Sequence, residues 1–252
     1  MKRNVGILLF AFLLINCKDN SALRYTQEVF KQEMEADCTE LSCPSAKLEI
    51  TLFESENEVA DSINKKVFEY FKEVLSFEEQ PYVATNYDEL LKSFLNSYEK
   101  LREEFPHDAI GWEVKGKSEI SFQSEKIINV RTEYYLYTGG AHGNFGVNSF
   151  LFDLTTGQNL TGEDIFIDLN GFESLAEKKF REKYHIKQGT NINSTGFMFE
   201  EDVFRLPQTI LFTKKGVLLI YNTYEIASYA DGTQELLIPF EDIKPFLNTK
   251  FI

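Results

Sequence analysis

The spacing of apolar residues along the first half of the chain predicts a strand followed by two helices. Leu48, Ile50 and Leu52 alternate with neighbours that include Glu49 and Thr51, which is the pattern of a half-buried strand. Apolar residues then recur at helical intervals over 59–74 and again over 90–105. Each stretch opens on capping-box spacing and is followed by proline, so we expect two separate helices.

The second half of the chain changes to a mainly strand-like pattern. Residues from 112 to 154 predict several antiparallel strands, and a hairpin is predicted around Lys214-Lys215-Gly216. Helices are expected over 170–184 and 239–247. These elements predict an α+β fold in which antiparallel sheets pack with helices. We expect two closely joined subdomains, residues 45–154 and residues 155–252.

The start of the chain has the features of an export signal. Lys2 and Arg3 precede the apolar run Val5–Ile15, which is too short to span a bilayer as a helix. The run leads into Leu14-Ile15-Asn16-Cys17, which resembles a bacterial lipobox. We therefore expect residues 1–16 to be a signal peptide and Cys17 to carry the lipid. The alternative is an ordinary signal peptide with a chance cysteine.

Residues 17–44 are expected to be a lipid-anchored tether, since this segment has few apolar residues. Its Cys38 and Cys43 are predicted to form a disulfide, because paired thiols in an exported protein are usually oxidised. The net charge of −14 disfavours nucleic acid and anionic lipid as partners. Contact with the membrane is expected through the lipid anchor only, at an extracytoplasmic location.

A glycine-rich segment, Tyr137–Asn144, provides the best candidate site. It holds three glycines and His142 between two predicted strands, and glycines allow close approach to the main chain. A second polar and aromatic loop spans 224–234. If both segments meet, they form a ligand-binding groove, whereas the alternative is that the tyrosines only cover strand faces. The candidate ligand-binding residues are Tyr137, Gly139, Gly140, His142, Asn144, Tyr224 and Tyr229.

The same segments resemble a known family. Tyr137-Thr138-Gly139-Gly140-Ala141-His142 is similar to the Tyr-x-Gly-Gly-Ala-His hallmark of the PdaC/RsiV-like extracytoplasmic proteins. The runs 152–166 and 224–239 are similar to segments that follow the hallmark in that family. The resemblance implies a PdaC-like region at 45–154, an RsiV-like region at 155–252, and contact with peptidoglycan or with proteins that attack it. Some members of that family have a transmembrane helix with a cytoplasmic segment, and others have a deacetylase domain. We expect neither in this chain.

Two functions follow as expectations. The first is a binding module for peptidoglycan, another envelope glycan, or an envelope-directed protein such as lysozyme. The second is a hydrolase that acts on envelope glycan, with His142 working beside a carboxylate. His142 has no nucleophile or carboxylate partner that the sequence places, so a structural role in the turn is favoured and no catalytic residue is assigned. No cofactor and no metal site is expected, since the histidines are single and far apart.

Overall fold

The computed structural model describes residues 23–34, 43–54, 57–76, 82–105 and 110–251. The predicted signal peptide, Cys17 and Cys38 lie outside these residues, so the lipid attachment and the Cys38–Cys43 disulfide stay predictions. A six-stranded sheet has the order β1-β2-β3-β4-β5-β6. Its strands are β1 Tyr25–Glu33, β2 Ser45–Phe53, β3 Glu113–Gln123, β4 Ile127–Tyr137, β5 Asn144–Asp153 and β6 Asn159–Leu160.

Two long helices cover one face of this sheet, as the sequence predicts. Helix α1 spans Glu58–Leu75 and helix α2 spans Tyr87–Glu104. The Asn57 side chain accepts the Ala60 N–H at the start of α1, and Asn86 accepts the Glu89 N–H at the start of α2. The apolar stripe of α1 is buried against the sheet, where it forms a core with α2 and strands β2 to β5. The buried residues of α1 are Ala60, Ile63, Val67, Phe71 and Leu75.

The α+β class is confirmed, but the larger sheet is mixed rather than wholly antiparallel. Strands β2 and β3 run parallel, from Ser45↔Glu113 to Glu49↔Lys117, while the other neighbouring strands run antiparallel. Helices α1 and α2 lie between β2 and β3 in the chain. They return it to the same end of the sheet, as a parallel pair requires. The parallel pair is a feature of the larger sheet that the sequence prediction did not include.

Part of the expected tether is a strand. Strand β1 lies within residues 17–44 and pairs along its full length with β2, from Tyr25↔Phe53 to Glu33↔Ser45. It has few apolar residues because it is the outer strand of the sheet and most of its side chains face solvent. Phe30 is half-buried, and its ring lies 4.8 Å from that of Tyr87 on α2. Tyr25–Glu33 is therefore part of the folded body.

A second core covers part of the other face of the larger sheet. Strands β7 Thr209–Thr213, β8 Gly216–Tyr221 and β9 Gln234–Pro239 form a three-stranded antiparallel sheet. The predicted hairpin joins β7 to β8. The helices of this half are α3 Gly162–Ile165, α4 Leu169–Lys183 and α5 Phe240–Ile243.

Side chains from both halves form this second core. Ile127 and Leu151 of the larger sheet pack with Phe180 and Leu219 in one buried cluster. Strand β6 follows the predicted boundary at residue 154 and still pairs with β5. The two expected subdomains therefore share a sheet and a core. No helix in the described part of the chain is both long and apolar enough to cross a bilayer.

Asn129 joins the two sheets by hydrogen bonds inside the protein. Its side chain is fully buried, and its amide nitrogen lies 2.9 Å from Ser149 Oγ and 3.0 Å from the Phe150 carbonyl. Its amide oxygen accepts the Phe212 N–H of β7 at 2.6 Å. A buried amide with all of these partners fixes β7 in one register on the larger sheet.

Replacing Asn129 by alanine should therefore destabilise the whole chain. The Phe212 N–H would be left without its partner inside the protein. We expect the free energy of unfolding in urea to fall by about 2–3 kcal/mol. Gln123→Ala, at an exposed position of the neighbouring strand, is the control and should change it by less than about 0.5 kcal/mol. Equal stability of the two variants would contradict this role.

Candidate functional site

The glycine-rich segment forms the connection between β4 and β5. Gly139 and Gly140 have φ of 103° and 89°, which residues with a side chain rarely adopt. The Tyr137 hydroxyl donates to the Gly140 carbonyl at 3.0 Å and closes the turn. We call residues 137–144 the glycine turn. Gly139 and Gly140 are thus required by the backbone path at the tip of the hairpin.

Gly143 is required for a different reason, which is close approach of an aromatic ring. A Cβ atom on Gly143 would lie 2.4 Å from the ring of Tyr135. Gly146 has the same relation to the Tyr134 ring on the opposite face, at 2.5 Å. The two tyrosine rings therefore lie directly against bare main chain, and this contact holds the end of the hairpin on both faces.

His142 forms an exposed cluster with two tyrosines of the C-terminal half. Its ring is stacked on Tyr229, with 3.7 Å between the ring centroids and 19° between the planes. His142 Nδ1 lies 3.1 Å from the Gly143 carbonyl, and Nε2 lies 3.4 Å from the Tyr224 hydroxyl. A proton on Nδ1 is then donated to the carbonyl, and Nε2 accepts from Tyr224. We call His142, Tyr224 and Tyr229 the His142 cluster.

The cluster is held on the main chain yet open to solvent. The Tyr229 hydroxyl donates to the Gly143 carbonyl at 3.1 Å. The same carbonyl oxygen therefore accepts hydrogen bonds from both stacked side chains, His142 and Tyr229. Tyr224 is 61% exposed and Tyr229 is 38% exposed. Large aromatic side chains that are fixed in place but uncovered are typical of binding surfaces.

Asn222 places the tyrosine loop on the edge of β5. Its amide oxygen accepts the Val147 N–H at 2.8 Å, and its amide nitrogen donates to the Val147 carbonyl at 2.9 Å. The Glu225 carboxylate then accepts the N–H groups of Asn222 and Gln208. Tyr224 lies between these two anchors with φ of 70°, an unusual angle for a tyrosine. The anchors on both sides fix Tyr224 in this conformation.

A polar cleft of about 470 Å³ lies beside the cluster, between α1, the edge of β5 and the loops around 208 and 222. Amides and hydroxyls dominate its wall, together with one carboxylate and three aromatic rings. Burial raises the pKa of Tyr70 and Tyr134, so both phenols remain neutral hydrogen-bonding groups. Its lining residues are Tyr70, Glu73, Val74, Tyr134, Asn144, Phe145, Gly146, Val147, Asn148, Gln208, Thr209, Asn222 and Thr223.

The structure brings the two predicted segments together. The glycine turn supplies Tyr137, Gly139, Gly140, His142 and Asn144, and the late loop supplies Tyr224 and Tyr229. Asn144 faces the cleft, where its amide donates to the Tyr134 hydroxyl at 3.3 Å. The ligand-binding role of these residues stays a prediction.

Sequence reasoning missed the role of Asn222, which carries the loop. The one available signal was an asparagine at the end of a predicted strand, and asparagine is common there for other reasons. Glu225 is a second residue whose role the sequence does not indicate. Its place between two main-chain N–H groups depends on tertiary contacts.

The hydrolase alternative gains no support from this geometry. The hydrogen-bond partners of His142 in the described residues are a carbonyl and a phenol, and neither is a carboxylate. Within the described ranges, no group of three histidine, cysteine, aspartate or glutamate side chains is placed to hold a metal ion.

Two family models match successive parts of the chain. Residues 28–145 match the model described as deacetylase PdaC, and residues 163–241 match the model described as a protein of unknown function, DUF3298. The glycine turn lies in the first match, and Tyr224 and Tyr229 lie in the second. The candidate site is therefore built where the two matched regions meet.

Crystal structures of two DUF3298 family proteins have the same fold. The protein from Pseudomonas aeruginosa PAO1 is 19% identical, with a TM-score of 0.66 over 92% of this chain and 97% of that chain. The protein from Bacteroides fragilis NCTC 9343 is also 19% identical, with a TM-score of 0.71 over 91% of this chain and 95% of that chain. No protein of curated function matches the chain.

Removing the Asn222 amide should release the tyrosine loop from β5. In Asn222→Ala, the Val147 N–H and carbonyl lose this partner, although Thr209 still donates to the carbonyl. We expect the Val147 amide to exchange with solvent at least tenfold faster, because its protection comes from this hydrogen bond. Amide hydrogen exchange measured by NMR tests this, with Asn170→Ala on the exposed side of α4 as the control. Unchanged Val147 exchange in Asn222→Ala would show that the anchor lies elsewhere.

Proposed function

The chain belongs to the PdaC-like proteins that carry a DUF3298 region, and on that premise we propose that it binds glycan of the bacterial cell envelope. The family assignment suggests an extracytoplasmic, envelope-related protein. The observation that carries the proposal is the His142 cluster, an exposed aromatic stack beside a polar cleft.

The chemistry of the cluster suits a sugar ring. A sugar presents an apolar face of C–H groups and a rim of hydroxyls, so it stacks on an aromatic ring and hydrogen-bonds around its edge. Tyr224 and Tyr229 have ring centroids 5.8 Å apart and an interplanar angle of 36°, and both are exposed. They offer two neighbouring aromatic surfaces, with hydroxyl groups at their ends, to one ligand.

The cleft supplies the polar half of such a site. Side-chain amides donate and accept hydrogen bonds in equal measure, as sugar hydroxyls also do. Asn144, Asn148 and Gln208 line the cleft, together with the neutral hydroxyls of Tyr70 and Tyr134. A wall dominated by neutral polar groups favours a neutral, hydroxyl-rich ligand over an ionic one.

A basic envelope-directed protein, such as a lysozyme, is the second candidate ligand. The observation in its favour is the net charge of −14, which would speed the approach of a cationic protein. The same exposed tyrosines would act as hot-spot residues in that complex. The glycan is preferred, because the cleft beside the tyrosines is concave and mostly neutral.

Tyr224→Ala tests the proposal. The substitution removes the most exposed ring of the cluster and leaves the Asn222 and Glu225 anchors in place. We expect retention on purified peptidoglycan sacculi to weaken about tenfold, since a lost stacking contact costs about 1–2 kcal/mol. A co-sedimentation assay with purified protein measures this.

Tyr25→Ala is the matched control, because Tyr25 is 52% exposed on the outer strand β1 and belongs to neither segment of the site. It should leave retention unchanged. The same pair of variants, titrated with lysozyme by calorimetry, separates the two candidate ligands. Wild-type protein that binds neither sacculi nor lysozyme would remove the proposal.

We further propose that Cys17 anchors the protein to the membrane through lipid, as the lipobox-like run before it suggests. When the gene is expressed in bacteria fed labelled palmitate, the wild-type chain should carry label and fractionate with membranes. Cys17→Ala should carry none and lose the membrane association. Unlabelled wild-type protein would overturn the lipid anchor and leave the glycan-binding proposal untouched.

A further inference from the structure

Among the residues that the structure describes, nothing pairs with one main-chain position on the outward edge of β5. In an antiparallel pair, alternate residues direct their N–H and carbonyl groups to one neighbouring strand and then to the other side. Val147 directs both groups away from β4, because both are bonded to Asn222. The pairing of β4 with β5 continues without a register shift to Phe145↔Tyr135 and Leu136↔Asn144. Phe145, two residues before Val147, therefore also directs its N–H and carbonyl outward.

On both sides of Phe145, outward-facing main-chain groups already have partners. The Gly143 carbonyl accepts from Tyr229 and lies beside His142 Nδ1. Val147 is bonded by Asn222, and the Ser149 N–H is bonded to the Asn148 side chain. Side chains of the C-terminal half thus close this edge at 143 and at 147. In the described part of the chain, no side chain or strand occupies the same place at Phe145.

The open position lies in the polar cleft. Residues 144–148 line one wall of the cleft, with Asn222 beyond Val147 at one end and the His142 cluster beyond Gly143 at the other. An exposed strand edge is a template for another chain, so proteins commonly block it. Here, within the described ranges, side chains bond the two flanking positions and leave Phe145 open inside a cleft of about 470 Å³.

The geometry of Asn222 shows which chemical group fits. Its carboxamide accepts from Val147 N–H and donates to Val147 C=O, because its own oxygen and N–H point in the same direction. One residue of an extended peptide makes the same pair of bonds with its own N–H and carbonyl. The trans amide of an N-acetyl group has its N–H and carbonyl pointing in opposite directions, so it satisfies only one of the two.

We propose that Phe145 binds one residue of an extended peptide by strand addition, and that the occupant is a peptide stem carried by the envelope polymer. This inference rests on the proposed glycan binding, since the sugar contacts at the His142 cluster would bring a stem to the adjoining cleft. The stem residue exchanges two hydrogen bonds with Phe145, and the bonds already made by the Gly143 carbonyl and by Val147 limit the pairing to that residue.

Phe145→Pro and Phe145→Ala form a matched pair of variants. Proline removes the N–H and is tolerated on a strand edge where that N–H is unused by the fold. Alanine removes the same ring, which is 38% exposed, and keeps the N–H. The probes are soluble sacculus fragments that carry peptide stems, the same fragments after amidase removes the stems, and the peptide acetyl-Ala-Ala-Ala-amide.

We expect stem-bearing fragments to bind wild type and Phe145→Ala at least fivefold more tightly than amidase-treated fragments. Phe145→Pro should bind both fragments with the same, weaker affinity. The free peptide should bind weakly to wild type and shift the Phe145 amide signal in NMR spectra. Equal affinity of wild type for fragments with and without stems would overturn the inference and leave the glycan proposal standing. Failure of both fragments to bind would count against both proposals.

A ligand-side test does not depend on whether the proline variant folds. In three alanine peptides, each N-methylated at a different residue, one methyl group should abolish the Phe145 shift and the other two should preserve it. Loss of the shift at all three positions, or at none, would contradict pairing through a single residue.

Discussion

The pair of hydrogen bonds between Asn222 and Val147 is the constraint on which the site depends. A side-chain amide takes the place of a neighbouring strand on β5 and attaches the loop of the C-terminal half to the sheet of the N-terminal half. Asn129 links the two halves at a second place, inside the buried interface, where its amide oxygen accepts the Phe212 N–H and fixes β7 on the larger sheet. These hydrogen bonds hold the loop where Tyr224 and Tyr229 contact His142.

The candidate site is therefore formed by the two regions together. The PdaC-like region contributes a bare hairpin tip with an imidazole, and the DUF3298 region contributes the rings that stack on it. Neither half alone encloses the cleft, since α1 and β5 form one wall and the loops around 208 and 222 form the other. This arrangement explains why a glycine is needed at 143. The Tyr135 ring occupies the space that a Cβ atom would need, and the Tyr229 hydroxyl donates to the Gly143 carbonyl.

Local patterns predicted much of the fold. Helical periodicity located α1 and α2, and the asparagine cap at Asn86 marked the start of α2. Glycine content located the hairpin tip at 139–140, where positive φ demands it. The parallel pairing of β2 with β3 could not be predicted from local patterns. Two helices connect these strands, and the direction in which β3 then pairs depends on tertiary packing. Strand β1 was assigned to a tether, because an outer strand with an exposed face has the composition of a linker.

The most direct test of the account is an NMR titration of the imidazole signals. The chain has three histidines, and His142 is the one in the described residues that contacts both tyrosines of the cluster. When soluble sacculus fragments are added, the ring signals of His142 should shift and broaden, while those of His185 at the end of α4 remain unchanged. Unchanged His142 signals at saturating fragment, or equal shifts of His142 and His185, would contradict the claim that the glycine turn and the tyrosine loop form one recognition surface.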